Sequence, residues 1–540
     1  MHDALRVDEL LAEIFSHLIP KWDYVCCGDL NAVVGTCKTF FDPGIEALWQ
    51  GQHGLSNILK LLPADSWEEV REDLVPGSFT YMGLRILREV SEEEWQKALR
   101  YARLVRRLHV GVEDRLGLAG ITKYYPIESG LLFPRLHKLS WRGGCQSFLD
   151  LRPFIGLSLV RLELLIRFAP KEKDMNEVRQ LCSRLANLRH FDIFIKLEGE
   201  MYHTMMSLVT GHLHQLETLS AHILDRPTFE RITRIPTVQE IAFTAVPSMG
   251  RGWDIPGSSL AAQTPASHTL QCLAFVFTGA NFPLFTGMLE TSTTWRLTTI
   301  LVTSTGLETH QTIRRMYATV ASRVQQSTLE CLHLGDFENP RDGEEPPEDA
   351  PLDDYVVSAH TLSLLFCFPN LESVKLSSSA GFALDDATVR ALASTWRSIT
   401  ELQLSSASDF TASPGLNLTG AALVEIARYC KQLKTLELPM RMTDIPNLDS
   451  IHDLDEIAQT ALTHLELCEP PIRDPDEVAE LLLLLFPKLR RVFTSMYWFS
   501  TYEEEYDEED EECGWYYDWR EVSRILWANT EETKEDECED

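Results

Sequence analysis

One apolar motif recurs along most of the chain. Its form is L-x-x-L-x-L, in which other apolar residues replace some leucines, and it is clearest at Leu433–Leu438 and Leu462–Leu467. Fourteen copies begin between residues 105 and 489, so the mean spacing is about 30 residues, within the range of structural repeats. The other copies are Val105–Val110, Leu136–Trp141, Leu159–Leu164, Leu188–Ile193, Leu216–Ala221, Val238–Phe243, Leu270–Phe275, Leu297–Val302, Leu329–Leu334, Leu371–Leu376, Ile399–Leu404 and Leu489–Thr494.

Each copy ends in an alternating L-x-L, which places its two leucines on one side of a strand and the residue between them on the other. Helical spacing lies between the copies, most clearly at 419–430, where Leu423, Ile426, Ala427 and Cys430 form one apolar stripe. A strand and a helix in every repeat are typical of leucine-rich repeats, whose units bury their apolar faces by stacking. We therefore predict an α/β solenoid, a horseshoe with parallel strands on its concave face. An ordinary α/β domain with leucine-rich strands is the alternative.

The first 49 residues follow a different pattern. Residues 5–18 have apolar side chains at 7, 10, 11, 14, 15 and 18, which predicts an amphipathic helix that Pro20 ends. A second helix is predicted over 30–41 and a third over 45–49, with Pro43 interrupting them. Three short helices make a very small core, and such a module usually needs a partner.

This module resembles the F-box family, whose outline is Leu-Pro, then E-L/I-L-x-x-I-F-x-x-L, then L-x-x-V/C and a later Phe, then L-W. One departure is that Arg6 or Val7 stands where the family has its proline. The positions that fit are Leu5, Glu9, Leu10, Ile14, Phe15, Leu18, Leu30, Val33, Val34, Cys37, Phe40, Leu48 and Trp49.

An F-box followed by leucine-rich repeats is a known pairing in ubiquitin-ligase substrate receptors, whose F-box docks on a Skp-type adaptor that hangs from a cullin. The resemblance therefore implies a Skp-type adaptor and, through it, a cullin as partners, and an unknown protein as substrate. A plain helical cap on the solenoid is the alternative. The expected adaptor-binding residues are Leu5, Leu10, Leu11, Ile14, Phe15, Leu18, Val33, Cys37, Leu48 and Trp49.

Residues 50–103 are predicted to be a helical linker and cap, which joins the module at 1–49 to the repeat array at 104–500. Capping boxes at Ser66–Glu69 and Ser91–Glu94 predict two helix starts, and Val90 with Trp95 would form a hydrophobic staple at the second. The stretch 95–106 is similar to the equivalent stretch in F-box proteins of basidiomycete fungi.

Three polar segments depart from the repeat pattern. Residues 247–267, rich in Gly, Pro and Ser, predict a loop, and the acidic, Pro-rich insertion at 338–351 predicts either a solvated loop or a contact for a basic partner. The last region, 501–540, combines an acidic run at 503–512 with a helical stripe over 515–526 and ends in a predicted disordered tail.

Composition and motifs exclude several functions. No P-loop, dinucleotide-binding, zinc-protease or nucleophile-elbow motif occurs, so we expect a non-enzymatic protein without cofactor or metal. The net charge of −32 disfavours nucleic acid. No apolar run is long enough to cross a membrane, and the opening residues do not match a secretory signal. Twelve dispersed cysteines indicate reduced thiols, so we expect a cytoplasmic or nuclear location.

Substrate binding is expected on the sheet face that carries the residues between the paired leucines. The basic residues at the start of this face and the acidic ones near its end suggest a charge gradient, for which random surface charge is the alternative. The expected substrate-binding residues are Arg107, His109, Lys138, Ser140, Arg161, Glu163, His190, Asp192, His333, Lys375, Gln403, Glu437 and Glu466.

Overall fold

The computed structural model forms two compact units, Met1–Val238 and Gln239–Asp540, each of which is described by itself. The first unit contains two regions that the sequence also separates, an N-terminal helical bundle and a parallel sheet. The second unit contains the remaining strands and their helices. The structure describes residues 7–18, 28–73, 80–126, 130–145, 148–168, 170–195, 201–222, 224–245, 268–277, 282–304, 306–335, 351–406, 417–447, 454–467, 472–490, 492–493 and 518–528.

The helices and strands of the first unit follow one another in a regular order after residue 103. Its helices are α1 (Asp8–Leu18), α2 (Gly28–Val34), α3 (Lys38–Gln50), α4 (Ser56–Leu59), α5 (Glu92–Ala102), α6 (Arg115–Tyr124), α7 (Asp174–Cys182), α8 (Met201–Thr210) and α9 (Arg226–Ile232). Its strands are β1 (Gly51–His53), β2 (Trp67–Asp73), β3 (Thr80–Ile86), β4 (Arg107–Val110), β5 (Lys138–Cys145), β6 (Arg161–Ile166), β7 (His190–Ile195) and β8 (Thr218–His222).

Six of these strands form one parallel sheet in the order β1-β4-β5-β6-β7-β8. Strands β4 to β8 each begin two residues after the start of a motif copy, as the alternation predicts. Apolar motif positions such as Leu162 and Leu164 are buried, since they face the repeat interior. Strand β1 was not predicted; it lies beside β4 and extends the sheet toward the N-terminal bundle.

The second unit continues the same alternation. Its helices are α10 (Phe282–Leu289), α11 (His310–Arg323), α12 (Ala359–Leu362), α13 (Asp386–Thr395), α14 (Gly420–Tyr429), α15 (Leu454–Ile457) and α16 (Pro475–Leu485), followed by a helix at 518–528. Its strands are β9 (Glu240–Ala245), β10 (Cys272–Phe277), β11 (Thr299–Ser304), β12 (Cys331–Leu334), β13 (Val357–Ser358), β14 (Ser373–Ser378), β15 (Phe382–Ala383), β16 (Glu401–Ser406), β17 (Thr435–Glu437), β18 (His464–Glu466) and β19 (Val492–Phe493).

Nine of these strands pair in parallel in the order β9-β10-β11-β12-β14-β16-β17-β18-β19, while β13 and β15 form a separate small pair. Each of the fourteen motif copies therefore contains a parallel strand in its own unit. The predicted helix over 419–430 is confirmed as α14, whose N-cap Thr419 accepts a hydrogen bond from the Ala421 N–H at 3.2 Å. The α/β repeat class is thus confirmed.

The N-terminal bundle is built on α1, α2 and α3, whose core contains Leu11, Phe15 and Leu30. Phe40 meets Phe15 edge-on, with ring centroids 5.7 Å apart. Gly44 lets α3 approach α2 closely, because a Cβ at this position would collide with a side-chain methyl of Val34. The core of the bundle is small, and α1 contributes only one of its sides to it.

The predicted boundaries of the second and third helices were wrong. Helix α2 ends at Val34, where the Thr36 hydroxyl donates to the Val33 carbonyl at 2.7 Å, and α3 begins at Lys38. Pro43 lies inside α3 rather than interrupting it. A proline there costs the helix one backbone hydrogen bond, which the packing of α3 against α1 and α2 offsets.

The predicted helix start at Ser66–Glu69 was also wrong, whereas the one at Ser91–Glu94 is confirmed. The Ser66 hydroxyl donates to the Pro63 carbonyl at 2.7 Å, and β2 then pairs antiparallel with β3. At α5, by contrast, the Glu94 N–H donates to Ser91 Oγ at 3.3 Å, and the Ser91 N–H donates to the Glu94 carboxylate at 2.8 Å. Antiparallel pairing with the next strand decides the first case, and helix capping decides the second.

The helical stripe near the C-terminus is present at 518–528, where Trp519, Val522 and Leu526 are buried. The predicted loop at 247–267 and the acidic run at 503–512 lie outside the described residues, as does all of the insertion at 338–351 except Pro351. Across the part of the chain that the structure describes, no helix has the length and apolarity needed to cross a membrane.

Candidate functional site: an apolar helix stripe and two polar sheet faces

Helix α1 carries two adjacent apolar stripes with different surroundings. Leu11 and Phe15 are buried in the bundle core, with 0% and 2% of their surface exposed. Leu10, Ile14 and Leu18 are 47%, 44% and 38% exposed. These three residues lie at i, i+4 and i+8 and therefore share one line along the helix. We call them the exposed apolar stripe.

The remaining residues expected to bind an adaptor fall into two groups. Val33 and Leu48 pack against the bundle core, so their contribution is to hold α1 in place. Cys37 is half-buried at the position before α3, and Trp49 packs on Tyr101 with ring centroids 4.8 Å apart. Leu5 lies outside the described residues.

Two apolar residues outside that set are exposed on the bundle, and one of them is Val7, which precedes α1 and is 41% exposed. Phe41 of α3 is 50% exposed, and sequence reasoning missed it. The available signal was the pair Phe40-Phe41, because consecutive residues of a helix point in different directions and only one can enter a small core. An adaptor-binding role for all these residues stays a prediction.

The polar sheet face of the first unit carries two rows of register partners. In the first row Arg107, Lys138, Arg161 and His190 follow one another on β4, β5, β6 and β7. We call these four residues the basic row. The second row, two residues further along the same four strands, contains His109, Ser140, Glu163 and Asp192.

Glu163 connects the two rows. Its carboxylate lies 3.2 Å from Lys138 Nζ and 2.9 Å from Arg161 Nε. Burial raises the pKa of Glu163, but hydrogen bonds from Ser140 and Lys138 and the nearby positive charges outweigh it, so the pKa is below its ordinary value. Burial dominates at Asp192 and raises the pKa of its carboxyl despite a hydrogen bond with Ser220.

The polar face of the second unit contains a hydrogen-bonded chain. His333 Nε2 is 2.8 Å from Ser373 Oγ, Ser373 donates to a Glu401 oxygen at 2.9 Å, and Lys375 Nζ pairs with Glu401 at 2.7 Å. Burial and the charge of Lys375 lower the pKa of His333 to about 4. This imidazole is therefore neutral at physiological pH and acts as a hydrogen-bonding group.

Glu437 and Glu466 are register partners on β17 and β18 in the same unit. Burial and the neighbouring charge of Glu466 raise the pKa of Glu437 to about 7. Gln403 occupies the equivalent position on β16, and His464 stacks on Phe493 with ring centroids 4.4 Å apart. The predicted residues of this face thus lie together, with one carboxyl poised to change its charge near neutral pH.

Among the described residues, no group of three or more His, Cys, Asp or Glu side chains is placed to hold a metal ion. Burial raises the pKa of the thiols of Cys272, Cys331 and Cys430 and so keeps them protonated. The arrangement supports binding through charge and hydrogen bonds.

The sequence matches no protein-family model, and it is similar to none of the curated proteins. Among solved structures, it matches the crystal structure of the Rad7 and Elc1 complex in yeast with a TM-score of 0.32 and 13% sequence identity. That match covers 72% of this chain and 75% of the other. At this level of similarity, function has to be argued from the residues of this chain.

Proposed function

We propose that the chain is the substrate-recognition subunit of a ubiquitin ligase of the Skp–cullin–F-box type. The observation that carries this proposal is the exposed apolar stripe of Leu10, Ile14 and Leu18, which lies on α1 next to the buried stripe and is left partly uncovered by the bundle. An amphipathic helix with a second apolar stripe suits docking against an apolar groove of a partner.

The energetics of the bundle favour this interpretation. Leu11, Phe15 and Leu30 already form a core without the stripe, so the stripe is not needed to hold the three helices together. Fully burying one large apolar side chain contributes about 1.5–3 kcal/mol. Covering three partly exposed ones would supply a substantial part of the affinity for an adaptor.

In this proposal the rest of the chain selects the cargo. The polar sheet faces bind a substrate protein, the adaptor links the chain to a cullin, and no residue of the chain is catalytic. The chain needs no cofactor and no nucleic acid, and it works in the cytoplasm or nucleus without a membrane anchor. Its similarity to basidiomycete F-box proteins over 95–106 belongs to the same proposal.

The test is a binding measurement with a purified Skp-type adaptor. We expect Leu10→Ala combined with Ile14→Ala to weaken binding by about 10- to 100-fold, because each change removes apolar surface worth about 1 kcal/mol or more. Isothermal titration calorimetry with the full chain measures the affinity, and circular dichroism checks that the helices remain.

The matched control is Leu157→Ala combined with Leu484→Ala, which removes two exposed leucines away from α1. This pair should leave the affinity for the adaptor within about twofold. Unchanged adaptor binding by the α1 double variant, or no binding by the wild-type chain, would refute the ligase assignment.

A leucine-rich-repeat scaffold without any ligase is the second candidate. The observation that favours it is the residue type at positions 6 and 7, where the F-box outline has proline and this chain has Arg6 and Val7. In that case the stripe would belong to a helical cap. Absence of a Skp-type adaptor among co-purified proteins, together with capture of other partners, distinguishes the scaffold from the receptor.

A further inference from the structure

The basic row of the first unit brings like charges together. Arg107, Lys138 and Arg161 are direct register partners on three adjacent parallel strands. Like charges placed directly across neighbouring strands destabilise a sheet. The chain has 81 acidic and 49 basic residues. Three basic residues at consecutive register positions are therefore unexpected from its overall composition.

Carboxylates on the same face neutralise only part of the positive charge of the basic row. Lys138 and Arg161 share the single carboxylate of Glu163. Among the described residues, Arg107 forms no ion pair. Arg142 adds a further exposed guanidinium, and its charge acts on Asp192 together with that of Arg161. Arg107, Lys138, Arg142 and Arg161 thus lie near two carboxylates, Glu163 and Asp192, and a third, Glu217, lies 3.9 Å from His190 at the end of the row.

These cations are accessible to a partner. The side chain of Arg161 is 50% exposed and that of Lys138 is 34% exposed, although both contact Glu163. Arg107 is also exposed. His190 continues the row and is hydrogen-bonded to Thr218 Oγ1 at 2.9 Å, which fixes the direction of its ring.

We infer that the basic row is a docking surface for an acidic peptide segment of a partner protein. The carboxylates of that segment would supply the negative charge that the face lacks. The inference rests on the proposed function only in identifying the partner as cargo, because the charge argument holds for a scaffold as well.

The length of the basic row determines how many residues of an extended peptide can bind along it. Neighbouring strands lie about 4.8 Å apart, so the row from Arg107 to His190 spans about 14 Å. An extended peptide advances about 3.3 Å per residue, and four or five residues therefore cover the row. Side chains on one face of such a peptide recur every second residue, which allows two or three carboxylates to reach the guanidinium and ammonium groups.

A nucleic acid fits this face less well than an acidic peptide. Binding to a polyphosphate depends on many Lys and Arg contacts along an extended track, and a chain of net charge −32 repels it on every side of the short row. Glu163 and Asp192 lie directly beside the cations, where they would oppose a phosphate backbone. A short peptide can place its carboxylates between them.

The experiment measures binding of a fluorescein-labelled peptide of alternating glutamate and serine, about eight residues long, to the full chain by fluorescence anisotropy at low salt. We expect wild-type binding that weakens as salt is added. We expect Arg107→Gln combined with Arg161→Gln to weaken it by tenfold or more, and Arg107→Gln alone to weaken it by a smaller factor. The single change breaks no ion pair among the residues that the structure describes, so it tests the surface without disturbing the fold.

The matched control is Arg179→Gln, which removes an exposed guanidinium from α7 in the same unit and should change affinity by less than twofold. No binding by the wild-type chain, or equal losses in the control and the row variants, would overturn the inference. So would tighter binding of a single-stranded oligonucleotide, or binding of a phosphoserine peptide where the glutamate peptide fails. The α1 double variant should bind the peptide normally, which separates this test from that of the adaptor.

Discussion

Replacing Asp114 with alanine is expected to lower the free energy of unfolding of the first unit by about 2–6 kcal/mol. Asp114 is 3% exposed, and its carboxylate accepts hydrogen bonds from the Leu55 N–H at 2.7 Å and the Gly111 N–H at 3.0 Å. Alanine would leave both backbone donors buried without an acceptor, at about 1–3 kcal/mol each.

Asp114 matters because it joins the two segments that connect the bundle to the sheet. Leu55 follows β1, and Gly111 follows β4, which is the partner of β1. The backbone at Gly54 has a φ of 90° and approaches the carboxylate so closely that a Cβ there would be 3.0 Å from Asp114 Oδ1. One buried carboxyl therefore fixes the turn that positions α3, and with it the exposed apolar stripe.

The effect should depend on pH in a defined direction. Burial raises the pKa of Asp114 from 3.8 to about 6, so the folded chain binds a proton that the unfolded chain releases between these two values. Stability from this group is therefore present at low pH and is lost as pH rises through about 6. The difference between wild type and Asp114→Ala should be larger at pH 5 than at pH 7, by about 1 kcal/mol.

Urea unfolding followed by circular dichroism at the two pH values measures both effects. Asp42→Ala, which removes an exposed carboxyl from α3, is the control and should change stability by less than about 0.5 kcal/mol. If the Asp114 variant unfolds at the same urea concentration as the Asp42 variant, the carboxyl does not hold the turn in this way.

The repeat could be predicted in detail because the same pattern recurs in fourteen copies at a near-regular spacing. An L-x-L tail buries both leucines only as a strand with one face inside, and neighbouring copies bury their faces only by stacking in parallel. The alignment of copies also predicts register: Lys138, Arg161 and His190 occupy the same motif position and are partners in the sheet. The basic row was therefore visible in the sequence.

Other features depend on contacts that no local pattern encodes. Strands β2 and β3 form because residues 67–73 pair with the following segment 80–86, and this pairing overrides the capping signal at Ser66. Helix α3 continues through Pro43 because its packing against α1 and α2 outweighs one lost hydrogen bond. The burial of Leu11 and the exposure of Leu10 follow from which side of α1 meets α3, which the apolar spacing alone leaves open.

The charge states of the carboxyl groups on the two sheet faces also depend on contacts that no local pattern encodes. The sequence places Glu163 and Glu437 at equivalent motif positions, yet the pKa of the first is lowered and that of the second is raised to about 7. The difference arises from neighbours, since Lys138 and Arg161 surround Glu163 whereas Glu466 lies beside Glu437. The burial of each carboxyl group and the charges of its neighbours, rather than its residue type, therefore determine its pKa.

The second large effect is expected at Trp396, which lies at the end of α13 between successive repeats. Its ring is fully buried and meets Phe366 edge-on, with centroids 5.6 Å apart. Trp396→Ala should lower the free energy of unfolding of the second unit by about 3–5 kcal/mol. It opens a cavity between stacked repeats, and these repeats cannot move together enough to fill it. Denaturation followed by circular dichroism measures the loss, and Trp527→Ala, at a ring that is 51% exposed, is the control.

Phenylalanine substitutions distinguish packing from hydrogen bonding at these rings. The Trp396 indole N–H has no hydrogen-bond acceptor among the described atoms, whereas the Trp295 N–H donates to the Leu289 carbonyl at 2.9 Å. Trp295→Phe should therefore cost about 1 kcal/mol more than Trp396→Phe, because it also removes the shorter of two hydrogen bonds to the Leu289 carbonyl and leaves the one from the Ser292 N–H at 3.4 Å. A Trp396→Ala loss no larger than that of Trp527→Ala would mean that the repeats do not depend on this contact, and stacking would have to be stabilised mainly by the leucines of the motif.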